Sequence, residues 1–185
     1  MILIYYFYIM EKSLYTGSGE FEFIGNLQKK MANFQKNKNI IHSIGDDCAV
    51  MHYDDGEYVH TTDVLVEGVH YNLLWSSWRE VIWKSCVASL SDINAMGAKP
   101  EHMLISLGMM QGWGLHFQEE FIDEISRISQ KFGVAVIGGD TVSSPISFIN
   151  ISMTGRLYDA PLLRSNAQPG QAIYISGTLG DSKAG

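Results

Sequence analysis

The sequence predicts an α+β fold: a mixed, largely antiparallel sheet with two long helices packed on it. Three observations predict it. Apolar residues recur at helical spacing in 76–100 and 117–133, and shorter runs at 48–53, 58–66, 102–110 and 146–157 are strand-like. Hydrophobic residues make up 46% of the 185 residues and charged residues 18%, enough apolar material for a sizeable core.

MILIYYFYIM (1–10) is too short to span a bilayer, which takes about 20 residues. It has no basic leader region and no small-residue cleavage site. It reads as an added strand, or as an upstream start before a true start at Met10. EKSLYTGSGE (11–20) is polar and loose, so residues 1–17 form an added or disordered segment. FEFIGNLQKKMANF (21–34) predicts a short amphipathic helix, with Phe23, Ile24, Leu27, Met31 and Phe34 at helical spacing. QKNKN is a solvated connector. Residues 48–53 and 58–66 form a hairpin around the turn signal DDGE.

The stretch 76–100 predicts a long helix. Trp78, Val81, Ile82, Ser85, Ser89, Ile93 and Met96 give it one apolar and small face. Ser76 or Ser77 caps it with Glu80 in the first turn, and Gly97 and Pro100 end it. HMLISLGMM is a strand. FQEEFIDEISRISQKFG is a second amphipathic helix, with Phe121, Ile122, Ile125, Ile128 and Phe132 inward and Gly133 as its stop. VAVIGG is a short buried strand, ISFINISMTGRL a longer one, and QAIYISG (171–177) another. RSNAQPG resembles an interdomain link. The domain therefore runs over 18–160, and 161–185 is a link with the opening of a second, truncated domain.

The net charge of −7 argues against non-specific nucleic-acid binding, which needs Lys and Arg against phosphates. It also means that a phosphate ligand would need bridging cations. With no other segment of transmembrane length, the chain reads as soluble and cytoplasmic. Cys48 and Cys86, in no metal-binding spacing, read as buried free thiols. P-loop, protein-kinase, zinc-protease and nucleophile-elbow motifs are all lacking.

Four acidic segments share one design. Asp46 and Asp47 start a strand in GDDCAV, Asp63 lies inside a strand after two threonines, Asp92 stands on a helix face of small residues, and Asp140 follows VIGG. One such aspartate is ordinarily a turn or cap residue. Together they form a set of hard oxygen donors that suits Mg²⁺ with substrate phosphates. Gly45, Gly138 and Gly139 allow close approach of backbone N–H groups, and Thr61 and Thr62 add hydroxyls and carbonyls. On this reading the positive charge facing Asp46 and Asp47 is Mg²⁺ rather than a lysine or arginine. His70 and Arg164 are candidate anion contacts, although a surface role is the usual one for either.

IGDDCAV, TTDVLVEGVH, SLSDINAMGAKP, IGGDTVSS and SGTLGDSKAG occur in the order and approximate spacing of the thiamine-monophosphate kinases, which the chain resembles over 18–185. That family belongs to the superfamily of aminoimidazole ribonucleotide synthetase and selenophosphate synthetase. The resemblance implies the synthetase-like N-terminal domain. It implies ATP-dependent phosphorylation of thiamine monophosphate to thiamine diphosphate, by direct in-line transfer with several Mg²⁺ ions. It implies that Asp47, Thr61, Thr62, Asp63, Asp92 and Asp140 hold metal, and that Gly139, Asp140 and Arg164 meet ATP. His70 would touch thiamine monophosphate, and Asp46 would stand behind the ligands. No single catalytic residue is implied. A homodimer joined through the N-terminal domain is implied as well. The alternatives are a sister synthetase and an inactive dimerising fragment that binds nucleotide and metal. The loop before GDDCAV lacks the cysteine that selenophosphate synthetases typically carry, which counts against that sister.

Overall fold

A computed structural model describes residues 19–34, 37–110, 114–175 and 177. The segment 1–17 and most of the final glycine-rich motif lie outside the described residues. In chain order the elements are α1 (Glu20–Met31), β1 (Ile40–His42), β2 (Ala49–Tyr53), β3 (Gly56–Val66), α2 (Trp78–Ala95), β4 (Ala98–Met109), α3 (Leu115–Phe132), β5 (Ala135–Ser143) and β6 (Phe148–Leu157). A short 3₁₀ turn, Arg164–Asn166, follows.

The strands form one six-stranded sheet in the order β1-β2-β3-β6-β4-β5. Every pairing is antiparallel except β4 with β5, which is parallel. The expected mixed, largely antiparallel sheet is therefore present, and α2 and α3 are the two long helices packed on it. Side chains alternate along a strand. Val59 and Leu65 of β3, Met103, Ile105 and Leu107 of β4, and Ile149, Ile151 and Met153 of β6 are buried. They pack in one core with Val81, Ile82, Leu90 and Ile93 of α2 and with Ile125 and Ile128 of α3.

Local chemistry sets the boundaries. Ser77 caps α2: its hydroxyl accepts the Glu80 N–H, while the Glu80 carboxylate accepts the Ser77 N–H at 2.8 Å. This reciprocal pair satisfies two donors that a helix start leaves open. Gly133 closes α3 at φ 66°, a left-handed conformation that suits glycine. The β2–β3 hairpin turns through Asp54 and Asp55, with Tyr53 paired to Gly56. No helix among the described residues is long and apolar enough to cross a membrane.

Five expectations are corrected. Pro100 does not end a helix; it lies in β4, which starts at Ala98 directly after the α2 cap. VAVIGG is not a short buried strand. β5 runs on through Ser143 at the sheet edge, and every residue of it is exposed, because only β4 pairs with it. Ile122 is 61% exposed rather than inward, since the buried stripe of α3 runs through Phe117, Glu124, Ile125 and Ile128. Helix α1 forms, but Phe21, Phe23 and Leu27 stay exposed, so its periodicity meets no core. Gln171–Ile175 is not a strand. No strand among the described residues pairs with it, and Ile173 and Tyr174 are almost fully exposed.

Glu124 is the charged residue buried among the described residues. The Arg127 guanidinium holds it with bonds of 2.5 and 2.9 Å. Both cysteines are buried, and burial is the main reason each thiol is pushed up to about 12. Thiolate, the reactive form, is then scarce at neutral pH. A thiol reagent at pH 8 is expected to label neither cysteine in the folded protein and both after denaturation. Rapid stoichiometric labelling before unfolding would contradict the burial.

Candidate active site

The site forms where β2 stops covering β3. Their pairing ends at Ala49↔His60, whereas β3 continues to Val66 with β6 along its other edge. The loop before β2 turns into the gap and carries Asp46 and Asp47. A cleft of about 440 Å³ opens there, lined by Ser43–Ala49, His60, Thr61, Thr62 and Arg164, with Phe21 and Ile24 of α1 beside it.

Strand alternation sorts the β3 residues between the two sheet faces. Thr61 and Asp63 turn toward α2. The Thr61 hydroxyl donates to Asp92 Oδ2 at 2.7 Å. Asp63 Oδ2 accepts a 2.9 Å bond from Ser89, whose hydroxyl also approaches the Ile151 carbonyl at 3.3 Å. Ser89 and Asp92 sit three apart on α2 and so share a face. The capped, core-packed helix thus brings Asp92 to β3. Burial raises the Asp92 carboxyl above the usual carboxylate range; the Thr61 bond opposes this, and the charges of Asp63 and Asp47 add to it. The same three aspartates also raise the Cys48 thiol, behind burial.

The charges of Asp47 and Asp63 thus both bear on Asp92. Among the described residues, no Lys, Arg or His forms an ion pair with any of them. Hard oxygen donors, mutual repulsion and partial burial make a set that fits a hard divalent cation. Among the described residues, no three His, Cys, Asp or Glu side chains are already grouped to enclose an ion. Mg²⁺ does not need such a cage, because one or two carboxylates with substrate phosphates and water are its usual ligands.

Asp46 differs, and here the sequence-based expectation is corrected. The charge facing it is an arginine. Arg164 donates from Nε to Asp46 Oδ1 at 3.0 Å and from its backbone N–H to Oδ2 at 3.1 Å, and its Nη2 reaches the Gly45 carbonyl at 3.0 Å. Burial alone would raise the Asp46 carboxyl. The Arg164 bonds and charge and the Asp47 N–H outweigh it, so the net shift is downward.

Other expected site residues are not brought to the aspartates. The Thr62 hydroxyl points to the opposite sheet face, where it bonds Asn150 at 3.1 Å and Ser152 at 2.9 Å. Asp140 is exposed on β5 and caps its own neighbour's N–H at 2.9 Å. Across the sheet, Asp63 aligns with Ile151, Ile105 and Gly139. Three strand spacings at about 4.8 Å put Gly139 and Asp140 roughly 14 Å away. Gly139 has a structural reason for its identity: at φ 156°, a Cβ there would lie 1.8 Å from the Ile105 carbonyl oxygen. His70 is exposed beyond the end of β3. Its Nδ1 accepts the Val66 N–H at 3.0 Å, and Lys84 Nζ on α2 pins its carbonyl at 2.7 Å. Sequence reasoning missed the part played by Ser89. Its signal was the small residue three positions before Asp92 on the helix face.

Residues 45–157 match the family "AIR synthase related protein, N-terminal domain". Over 168 residues the chain is 39% identical to a thiamine-monophosphate kinase of Buchnera aphidicola (subspecies Acyrthosiphon pisum), covering 90% of this chain and 50% of that one. It is 35% identical over 143 residues to the thiamine-monophosphate kinase of Aquifex aeolicus, covering 77% and 46%. Among solved structures, "AaThiL complexed with AMPPCP and TMP" is similar at TM-score 0.65 and 30% identity, covering 76% of this chain and 44% of that one. The chain spans about half the length of the curated relatives it matches. With more than half of its residues matched by the family model, the chain belongs to the AIR synthase related family as a bearer of its N-terminal domain.

Proposed function

We propose that the chain is the nucleotide- and metal-binding part of a kinase that transfers the γ-phosphoryl group of ATP to thiamine monophosphate, giving thiamine diphosphate. The observation that carries this reading is Asp92, bonded by Thr61 and subject to the charges of Asp47 and Asp63, with no ion-pairing Lys, Arg or His on any of the three among the described residues. It occurs in a chain similar to thiamine-monophosphate kinases. A solved neighbour described as holding AMPPCP and TMP supports the substrate pair.

Phosphoryl transfer asks little covalent chemistry of a protein; positioning and neutralisation of developing charge do most of the work. Direct in-line transfer therefore needs no nucleophile from this chain. Mg²⁺, when bound, would neutralise phosphate charge and fix the geometry of the triphosphate. Asp47, Asp63 and Asp92 would hold it, with Thr61 orienting Asp92 and Ser89 orienting Asp63. Thr62 would contribute through its carbonyl, since its hydroxyl is engaged on the other face. Arg164 would meet ATP phosphates at the cleft mouth. Gly139 and Asp140 with nucleotide and metal, and His70 with thiamine monophosphate, are assigned on family resemblance. We place the enzyme in the cytoplasm, where ATP is available. We also propose a homodimer. The edge strand β5, exposed at every residue and carrying Val136, Ile137 and Val142, and exposed Val64 and Leu104 on the sheet support it.

Full-length protein with ATP, Mg²⁺ and thiamine monophosphate is expected to release ADP in a coupled assay, with thiamine diphosphate as product. Absence of turnover alongside activity on another acceptor would contradict the substrate assignment. Sedimentation velocity of the same protein is expected to show a dimer at micromolar concentration, and a monomer throughout would refute the dimer.

A further inference from the structure

We infer that Asp46 is a positioning residue that holds the Arg164 guanidinium at the cleft mouth with one edge left for a nucleotide phosphate. This inference rests on the reading of the cleft as a nucleotide site. It assigns Asp46 to arginine rather than to metal.

The geometry is specific. Both carboxylate oxygens of Asp46 are used: Oδ1 accepts Arg164 Nε–H and the Asp47 N–H, and Oδ2 accepts the Arg164 backbone N–H. Gly45 supplies its carbonyl to Nη2. The guanidinium is therefore gripped along its Nε/Nη2 side. Its Nη1/Nη2 end is the edge that makes two parallel bonds to a phosphate or carboxylate. An exposed ion pair ordinarily contributes little. This one differs, because the Asp46 side chain is 3% exposed while that of Arg164 is 64% exposed. The carboxylate is the fixed partner and the arginine the presented one. The contact also spans 118 residues, tying the segment after β6 to the loop that carries Asp47. Among the described residues, His42 also stands 4.0 Å from Asp46 Oδ2, and its buried Nε2 has no hydrogen-bond partner there. It does not replace the arginine.

The test is a double-mutant cycle on full-length protein, read as equilibrium binding of Mg·AMPPCP by calorimetry. Variants are D46N, R164A and the pair. Arg164→Ala is expected to weaken binding by about tenfold to a hundredfold, the range for a hydrogen bond to a charged group. Asp46→Asn should weaken it comparably, and the double variant should be no weaker than R164A, since the two act as one unit. R164K keeps the charge but lacks the planar fork, and is expected to show the same loss. It keeps the test decisive if D46N folds poorly in a thermal melt.

Multiplicative losses in the double variant would overturn the inference. So would tighter binding by D46N, which would make Asp46 a competitor for the arginine. A D46N shift in the Mg²⁺ midpoint would make it a metal ligand instead. If the wild type binds no Mg·AMPPCP, both the inference and the nucleotide site fall. If it binds the nucleotide but does not phosphorylate thiamine monophosphate, only the kinase reading falls and the cycle still decides.

Discussion

Asp47 and Asp63 bear with like charge on Asp92 in a partly buried setting, and among the described residues no Lys, Arg or His forms an ion pair with any of the three. Burial and like charges both disfavour ionisation, which is why the Asp92 carboxyl is raised rather than lowered. Such a group stays in place only if its surroundings hold it. Here the surroundings are the long β3–β6 pairing, which fixes Asp63, and helix α2, which fixes Ser89 and Asp92. The capping box at Ser77, the apolar stripe of α2 and the sheet core beneath it all serve that placement. A cation arriving with an anionic nucleotide would convert the repulsion into binding energy.

Strand periodicity then divides the labour. Thr61 and Asp63 point to the helix side, and Thr62 points to the open sheet face with Asn150 and Ser152. Three consecutive residues that read in sequence as one ligand run are thus split between two environments. Asp46 and Asp47 are split in the same way. One is committed to Arg164, the other bears by its charge on Asp92, and Cys48 behind them is core. Of the two adjacent acids, one is paired with an arginine built into the fold, and the other is left for the cation proposed above.

The parts of this arrangement set by local pattern were legible in the sequence. Helix α2 and its Ser77 cap, the hairpin at Asp54 and Asp55, Asp63 within a strand and Asp92 on a small-residue helix face all follow from spacing and turn chemistry. The parts set by long-range contact were not. Nothing local to GDDCAV announces a partner at Arg164, 118 residues away. The alternation that turns Thr62 away from Asp63 is local, but which face meets α2 depends on register with β6. VAVIGG looked buried because it is apolar, yet its place at the sheet edge is a matter of topology. QAIYISG has strand composition and no strand beside it among the described residues.

The claim at the centre is that Asp92 belongs to a shared cation site rather than to the core. Its most direct measurement is the Mg²⁺-dependent turnover of full-length Asp92→Asn. The change keeps the shape and removes one charge. Turnover is expected to fall on the order of a hundredfold or more, with circular dichroism and thermal unfolding close to wild type. Unchanged turnover at the same Mg²⁺ concentration would show that Asp92 holds no metal and would contradict the account.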